Sequence, residues 1–244
     1  MRLKFFILFF IFCFFITNIF SFSSSFKNIL KYMNEDSRKK IENAFNENNP
    51  EDIAKEITSM AQSFSEQNKI LDARYSYILS AEIFEQLGLY NEAQKNYSVA
   101  IANFANDKIF SNTSLTLNAV RCTLSRGDFV TAEILLNTIS KEEITENENA
   151  KFKLYSAWQW LCKIDKEEDL HEPIVILKSY LELDTMITVK PQILLTLFYI
   201  TNDSQYSHII EKIFPNSPEG AIIKNNAKLM PAPFWFFCTR QDSN

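Results

Sequence analysis

Three glycines in 244 residues restrict this chain's fold more than any other feature of its sequence. β-Hairpins and tight loops need residues that tolerate positive φ, and here there are almost none to supply them. Two of the three, Gly88 and Gly127, stand where one amphipathic pattern stops and the next begins, the place of a helix C-cap. A mainly helical chain with short, defined turns is the consequence. Hydrophobic residues at 46% and charged residues at 23% are the proportions of a folded protein. The length admits one or two domains, or one elongated array.

The clearest pattern runs from Tyr77 to Ile101 and reads as two helices closed at Leu87-Gly88. Tyr77, Ala81 and Phe84 share one face of the first helix; Tyr90, Ala93, Tyr97, Ala100 and Ile101 share one face of the second. Small Ala81 and Ala93 allow close backbone approach, and the tyrosines and Phe84 fill the space around them. This hairpin resembles a tetratricopeptide (TPR) repeat, matching its W-x2-L-G-x2-Y step loosely at Tyr77, Ser80, Ala81 and Phe84 and its A-x3-F step well at Ala93 and Tyr97. Gly127, Phe129 and Ala132 echo Gly88, Tyr90 and Ala93. The glycines lie 39 residues apart, against a family period of about 34, and the polar link 106–111 is the expected site of the excess.

The remaining pattern gives further pairs. Helices are expected over 36–45 and 50–65, then 69–86 and 90–105, 108–126 and 128–140, 149–164 and 171–183, and 191–201 and 203–214. Asn49-Pro50-Glu51-Asp52 is a strong helix start, with a capping amide, a proline in the first turn and carboxylates at the positive dipole end. Ser217-Pro218 opens a last helix, and its Phe-Pro-Asn-Ser-Pro junction resembles those of bacterial envelope repeat proteins, including outer-membrane assembly and cell-division accessory factors. The expected fold is all-α, an α-solenoid of TPR-like antiparallel helix pairs behind a signal segment. Its divisions are 1–23 signal, 24–68 N-terminal pair, 69–140 repeats, 141–229 degenerate repeats and 230–244 aromatic tail, with Ser23 to Ser25 as a polar link.

The family resemblance implies a concave groove that binds a protein or peptide. Non-core positions of the first helices would line it: Tyr75, Ile78, Glu82 and Glu85, then Ser114, Leu117, Arg121 and Leu124. The chaperone-binding branch of the family uses a Lys and Asn pair one turn apart, and those positions here hold Ile78 and Glu82, then Leu117 and Arg121. That specificity is therefore not expected.

At the N-terminus, Arg2 and Lys4 precede an unbroken apolar run from Phe5 to Ile16, and Ser21-Phe22-Ser23 offers a cleavage site before Ser24. Export, to the periplasm or another extracytoplasmic space, is the expectation; an uncleaved anchor would instead make a membrane-tethered subunit of an envelope assembly. Removing Arg2 and Lys4 would take the formal net charge from −5 to −7. An acidic chain without a basic run argues against nucleic acid. Cys122, Cys162 and Cys238 form no disulfide framework, and Cys122 and Cys162 read as small buried hydrophobes.

No residues point to catalysis or to a cofactor. The run 165–172 is rich in carboxylates but has no glycine and reads as a solvated loop, not a calcium site. His171 and His208 lie far apart in sequence and fit no zinc spacing. No phosphate-cradling loop or nucleophile elbow occurs. The tail around Phe234, Trp235, Phe236 and Phe237 reads as a cover for the last repeat, or else as an exposed aromatic patch. A non-enzymatic binding or scaffolding module is the expected function.

Overall fold

A computed structural model describes residues 24–46, 49–105, 107, 109–142, 144–164 and 170–225. The signal segment, residues 165–169 of the acidic run and the 230–244 tail lie outside the described residues. Among the described residues the regular structure is helical throughout, with no strand. The chain separates into two compact units, up to Ser80 and from Ala81. The division falls inside a helix.

The first unit contains α1 (Ser24–Lys31), α2 (Glu35–Ala44), α3 (Pro50–Glu66) and the first part of α4 (Ile70–Gln86). Ser24 and Ser25, expected in a link, are the first residues of α1. Asn49 caps α3 as its sequence predicts, its side chain accepting from the Glu51 N–H at 3.1 Å with Pro50 in the first turn. Ile41 and Ala44 from α2 and Ile53, Ile57, Ala61 and Phe64 from α3 are all buried. The buried Asp72 carboxylate accepts from Ser37 Oγ at 2.6 Å and from the Asn34 N–H at 2.9 Å, fixing α4 to the start of α2. Ser80 Oγ donates to the Ala54 carbonyl at 2.7 Å, so α3 and α4 are joined along their lengths as well.

The second unit holds the end of α4 and then α5 (Tyr90–Ala102), α6 (Asn112–Ser125), α7 (Phe129–Asn137), α8 (Glu146–Lys163) and α9 (His171–Leu181). A 3-10 turn (Asp184–Val189), α10 (Lys190–Thr201), α11 (Ser204–Ile213) and α12 (Pro218–Ile223) complete it. Helix α6 packs against α5, α7 and α8; α8 packs against α7, α9 and the 3-10 turn; α10 packs against α9, α11 and α12. The core runs through Leu117, Val120, Leu154, Trp158, Leu195 and Ile210.

The turns explain the low glycine count. Gly88 and Gly127 sit at φ 74° and 79°, the left-handed region that an L side chain resists. Each closes a Schellman end: the Leu89 N–H donates to the Phe84 carbonyl at 2.9 Å, and the Asp128 N–H to the Thr123 carbonyl at 2.9 Å. Asn68, at φ 58°, makes the same end with Lys69 and Phe64 at 2.8 Å, and Asn202 and Asn225 also hold positive φ. Asparagine thus does at three helix ends what glycine does at two, because its short polar side chain tolerates the left-handed region best after glycine.

Several boundaries differ from those expected. The link between α5 and α6 begins at Asn103, three residues before the expected 106–111, and ends as expected at Ser111, which caps α6 by accepting from the Ser114 N–H at 2.9 Å. Helix α7 stops at Asn137, where the Thr138 hydroxyl turns back onto the Leu135 carbonyl at 2.7 Å. Helix α8 begins three residues early, at a capping box between Thr145 and Glu148. The 3-10 turn had no counterpart in the sequence reading; Met186 and Val189 are its buried residues.

Candidate functional site

Glu85 near the end of α4 and Arg121 near the end of α6 stand 36 residues apart in sequence and meet side by side. Arg121 Nε donates to Glu85 Oε1 at 2.5 Å and an η-nitrogen donates to Oε2 at 2.8 Å, a two-pronged pair. The Arg121 side chain keeps 29% of its exposure and that of Glu85 15%, so the pair is half-buried and reachable from solvent. The hydroxyl of buried Tyr97, on α5, donates to Glu85 Oε2 at 3.1 Å. Glu85 thus accepts three hydrogen bonds from two helices besides its own.

Helix α8 brings the next part. Tyr155 is buried; that burial pushes its hydroxyl up, and the Arg121 charge opposes the rise. Its ring stacks on Trp158 at 5.4 Å, and Trp158 Nε1 donates to Thr196 Oγ1 of α10 at 2.8 Å, so the tyrosine is held from behind. Lys151, one turn earlier on α8, is half-buried near the same charges. Glu148 accepts from Ser111 Oγ through one oxygen, and from the Thr145 N–H at 2.9 Å and hydroxyl at 2.6 Å through the other.

The environment moves several of these groups. Burial pushes the Tyr97 hydroxyl well up, and the Glu85 charge adds to it. Burial opposes the Arg121 charge, but Glu85 outweighs it and the guanidinium is held firmly protonated. Burial lowers the Lys151 ammonium, and the Arg121 charge lowers it further. Burial next to Glu85 raises the Cys122 thiol far out of its reactive range, so this cysteine is inert packing. Cys162 is likewise buried, and among the described residues it forms no disulfide.

Of the residues expected to line a groove, Glu82, Glu85, Ser114 and Arg121 are half-buried. Tyr75, Ile78, Leu117 and Leu124 are not lining residues: all four are buried. Both helices are apolar on most of their circumference, so positions assigned to an open face are packed over instead. The repeat positions hold as core. Ala81, Ala93, Tyr97, Ala100 and Ala132 have no exposure, Tyr77 and Phe84 are buried, and Tyr90 and Phe129 are half-buried beside the turns. Sequence reasoning missed Tyr97 as a polar contact, and missed Lys151, Tyr155 and Glu148 altogether. A signal existed: Tyr155 follows Arg121 by 34 residues, about one repeat period.

His171 and His208 are exposed, and His208 Nδ1 lies 2.6 Å from the Ser204 carbonyl of its own helix. Among the described residues no group of three or more His, Cys, Asp or Glu side chains is placed to hold a metal ion. Among them, too, no single helix is long and apolar enough to cross a membrane.

A family model described as the middle domain of a Treponema protein family matches residues 162–244. That match takes in α9 to α12 and leaves Glu85, Arg121 and Lys151 outside it. No curated protein and no solved structure matches the chain.

Proposed function

We propose that this chain is a non-enzymatic interaction module, a TPR-like α-solenoid of the cell envelope that holds a protein or peptide against the face carrying Glu82, Glu85, Ser114 and Arg121. The observation that carries the reading is the Glu85–Arg121 pair, in which the first helices of two successive hairpins each place a half-buried charge on one face at near-repeat spacing. Such a face is rigid, because each member is held by a neighbour, and half-exposed, because the pair keeps part of its surface. Rigid, half-exposed charged and aromatic groups suit binding, since little side-chain freedom remains to be lost. The repeated Schellman ends at Gly88 and Gly127 support the TPR-like reading of the stack. The apolar run after Arg2 and Lys4 supports export, which a mature N-terminus near Ser24 in mass spectrometry would establish.

A photo-crosslinking residue introduced in cells tests the binding role. At Glu82 or Ser114 it is expected to trap one common protein, and Arg121→Glu is expected to abolish the adduct. The same residue at exposed Glu211 on α11 is the control. Equal labelling at all three positions, or none at Glu82 and Ser114, would contradict the proposal.

A further inference from the structure

Helix α11 leaves part of its apolar side open. Tyr206, Ile209, Ile210 and Ile213 recur at spacings of three and four and share one side of it, while Ser207, His208, Glu211 and Lys212 take the other. Burial falls off along the apolar stripe. Ile210 has no exposure and packs into the core with half-buried Tyr206 and Ile209 beside it. Ile213, at the end of the same stripe, is 60% exposed. The described residues thus leave uncovered a side chain that is aligned with the core.

The chain returns to this spot. After Phe214 it turns into α12, where Gly220 lies so close to the Phe214 and Pro215 carbonyls that a Cβ would not fit. Lys224, at the far end of α12, donates from its ammonium to the Pro215 carbonyl at 3.2 Å. Asn225 follows directly, so the chain leaves α12 within a lysine side chain's length of Pro215, two residues beyond Ile213. From there residues 226–233 can span up to about 25 Å, and the stripe from Tyr206 to Ile213 is only about 10 Å long. Next in sequence come Phe234, Trp235, Phe236 and Phe237. The family match over 162–244 also takes in α9 to α12 and this aromatic run together.

Tethering decides between occupants. A segment anchored beside an apolar site meets it at an effective concentration of about millimolar, far above that of a second copy or an outside protein. The end helices of a stack also need such a cover. We infer that Phe234 to Phe237 dock on the α11 stripe of their own chain, covering Tyr206, Ile209 and Ile213. This goes beyond the binding role proposed above and uses none of the residues of that face.

A benzophenone probe in the full chain tests the docking. p-Benzoylphenylalanine in place of Phe236, irradiated in dilute purified protein, is expected to give one internal adduct, mapped by mass spectrometry to the peptide holding Tyr206 to Ile213. Ile213→Lys should cut its yield at least fivefold, and Val130→Lys, at an exposed position on α7, should leave it unchanged. A second measurement needs no probe. In hydrogen exchange, Trp235→Ser should speed the α11 amides at least tenfold and leave those of α6 alone, with circular dichroism checking that each variant is folded. An adduct joining two copies would assign the stripe to self-association, and one formed only with another protein in cells would assign it to a partner; either would overturn the inference. So would an internal adduct elsewhere, no adduct, a yield unchanged in folded Ile213→Lys, or unchanged exchange in folded Trp235→Ser.

Discussion

Gly127 repeats the backbone of Gly88: the two sit at φ 79° and 74°, and each lies five residues ahead of a fully buried alanine, Ala132 and Ala93. The Schellman bonds around them correspond atom for atom, and Asn68 with Ala73 reproduces the arrangement once more. A left-handed residue sets the angle at which the chain leaves one helix. A small residue five places on then lets the next helix come close.

Replacing either glycine by alanine should therefore act on the turn and not on the core. Gly88→Ala and Gly127→Ala are each expected to lose about 1 kcal/mol in urea unfolding, since an L residue at this φ is strained. Asn68→Gly should change stability by only a few tenths of a kcal/mol. Glycine variants as stable as the parent would show that these turns relax without cost.

Gly220 offers a sharper contest of effects. It lies inside α12, where alanine is intrinsically favoured by about 1 kcal/mol. A Cβ there, however, would sit 2.7 Å from the Phe214 carbonyl oxygen and 3.0 Å from that of Pro215, both backbone atoms that cannot swing away. Gly220→Ala is expected to destabilise by about 1–3 kcal/mol, overpacking outweighing propensity. A raised melting temperature would reverse that ranking.

Two glutamates should respond to acid in opposite directions. Burial raises Glu148, but the hydrogen bonds from Ser111 and Thr145 outweigh it and hold its carboxyl below the usual range. Its stabilisation is present above the unfolded-state pKa and is lost as pH falls through the folded one. Glu219, almost fully buried in α12, is raised by that burial, so its contribution is present below the unfolded-state pKa and lost as pH rises through the folded one. Glu148→Gln should thus destabilise at pH 7, and Glu219→Gln should stabilise. Both differences should shrink in melts toward pH 3, and a pH-independent offset in either variant would refute its linkage.

The parts of the fold legible in the residues were those with a local cause. Asn49-Pro50 and Ser217-Pro218 start helices where their chemistry requires it, and Gly88 and Gly127 end them. Asn68 and Asn202 carried the same information in a weaker form, because asparagine also occurs in helix interiors and loops. The Thr145–Glu148 capping box was readable and marks α8 to the residue. The 3-10 turn was not, since it is held by burial of Met186 and Val189, a tertiary cause. In the candidate site, Glu85 and Arg121 were found from repeat spacing, although which faces stay open was misjudged. Tyr75, Ile78, Leu117 and Leu124 are covered by neighbours whose positions no single helix pattern contains.

The most direct test of the account is a double-mutant cycle on Glu85 and Arg121, using Glu85→Gln, Arg121→Met and the pair together in urea unfolding. Because both side chains keep partial exposure, the coupling should fall below that of a fully buried pair. A value of about 1–2 kcal/mol is expected if successive first helices lie side by side in this register. Additive losses, with coupling indistinguishable from zero, would contradict it and with it the face on which the binding role is built.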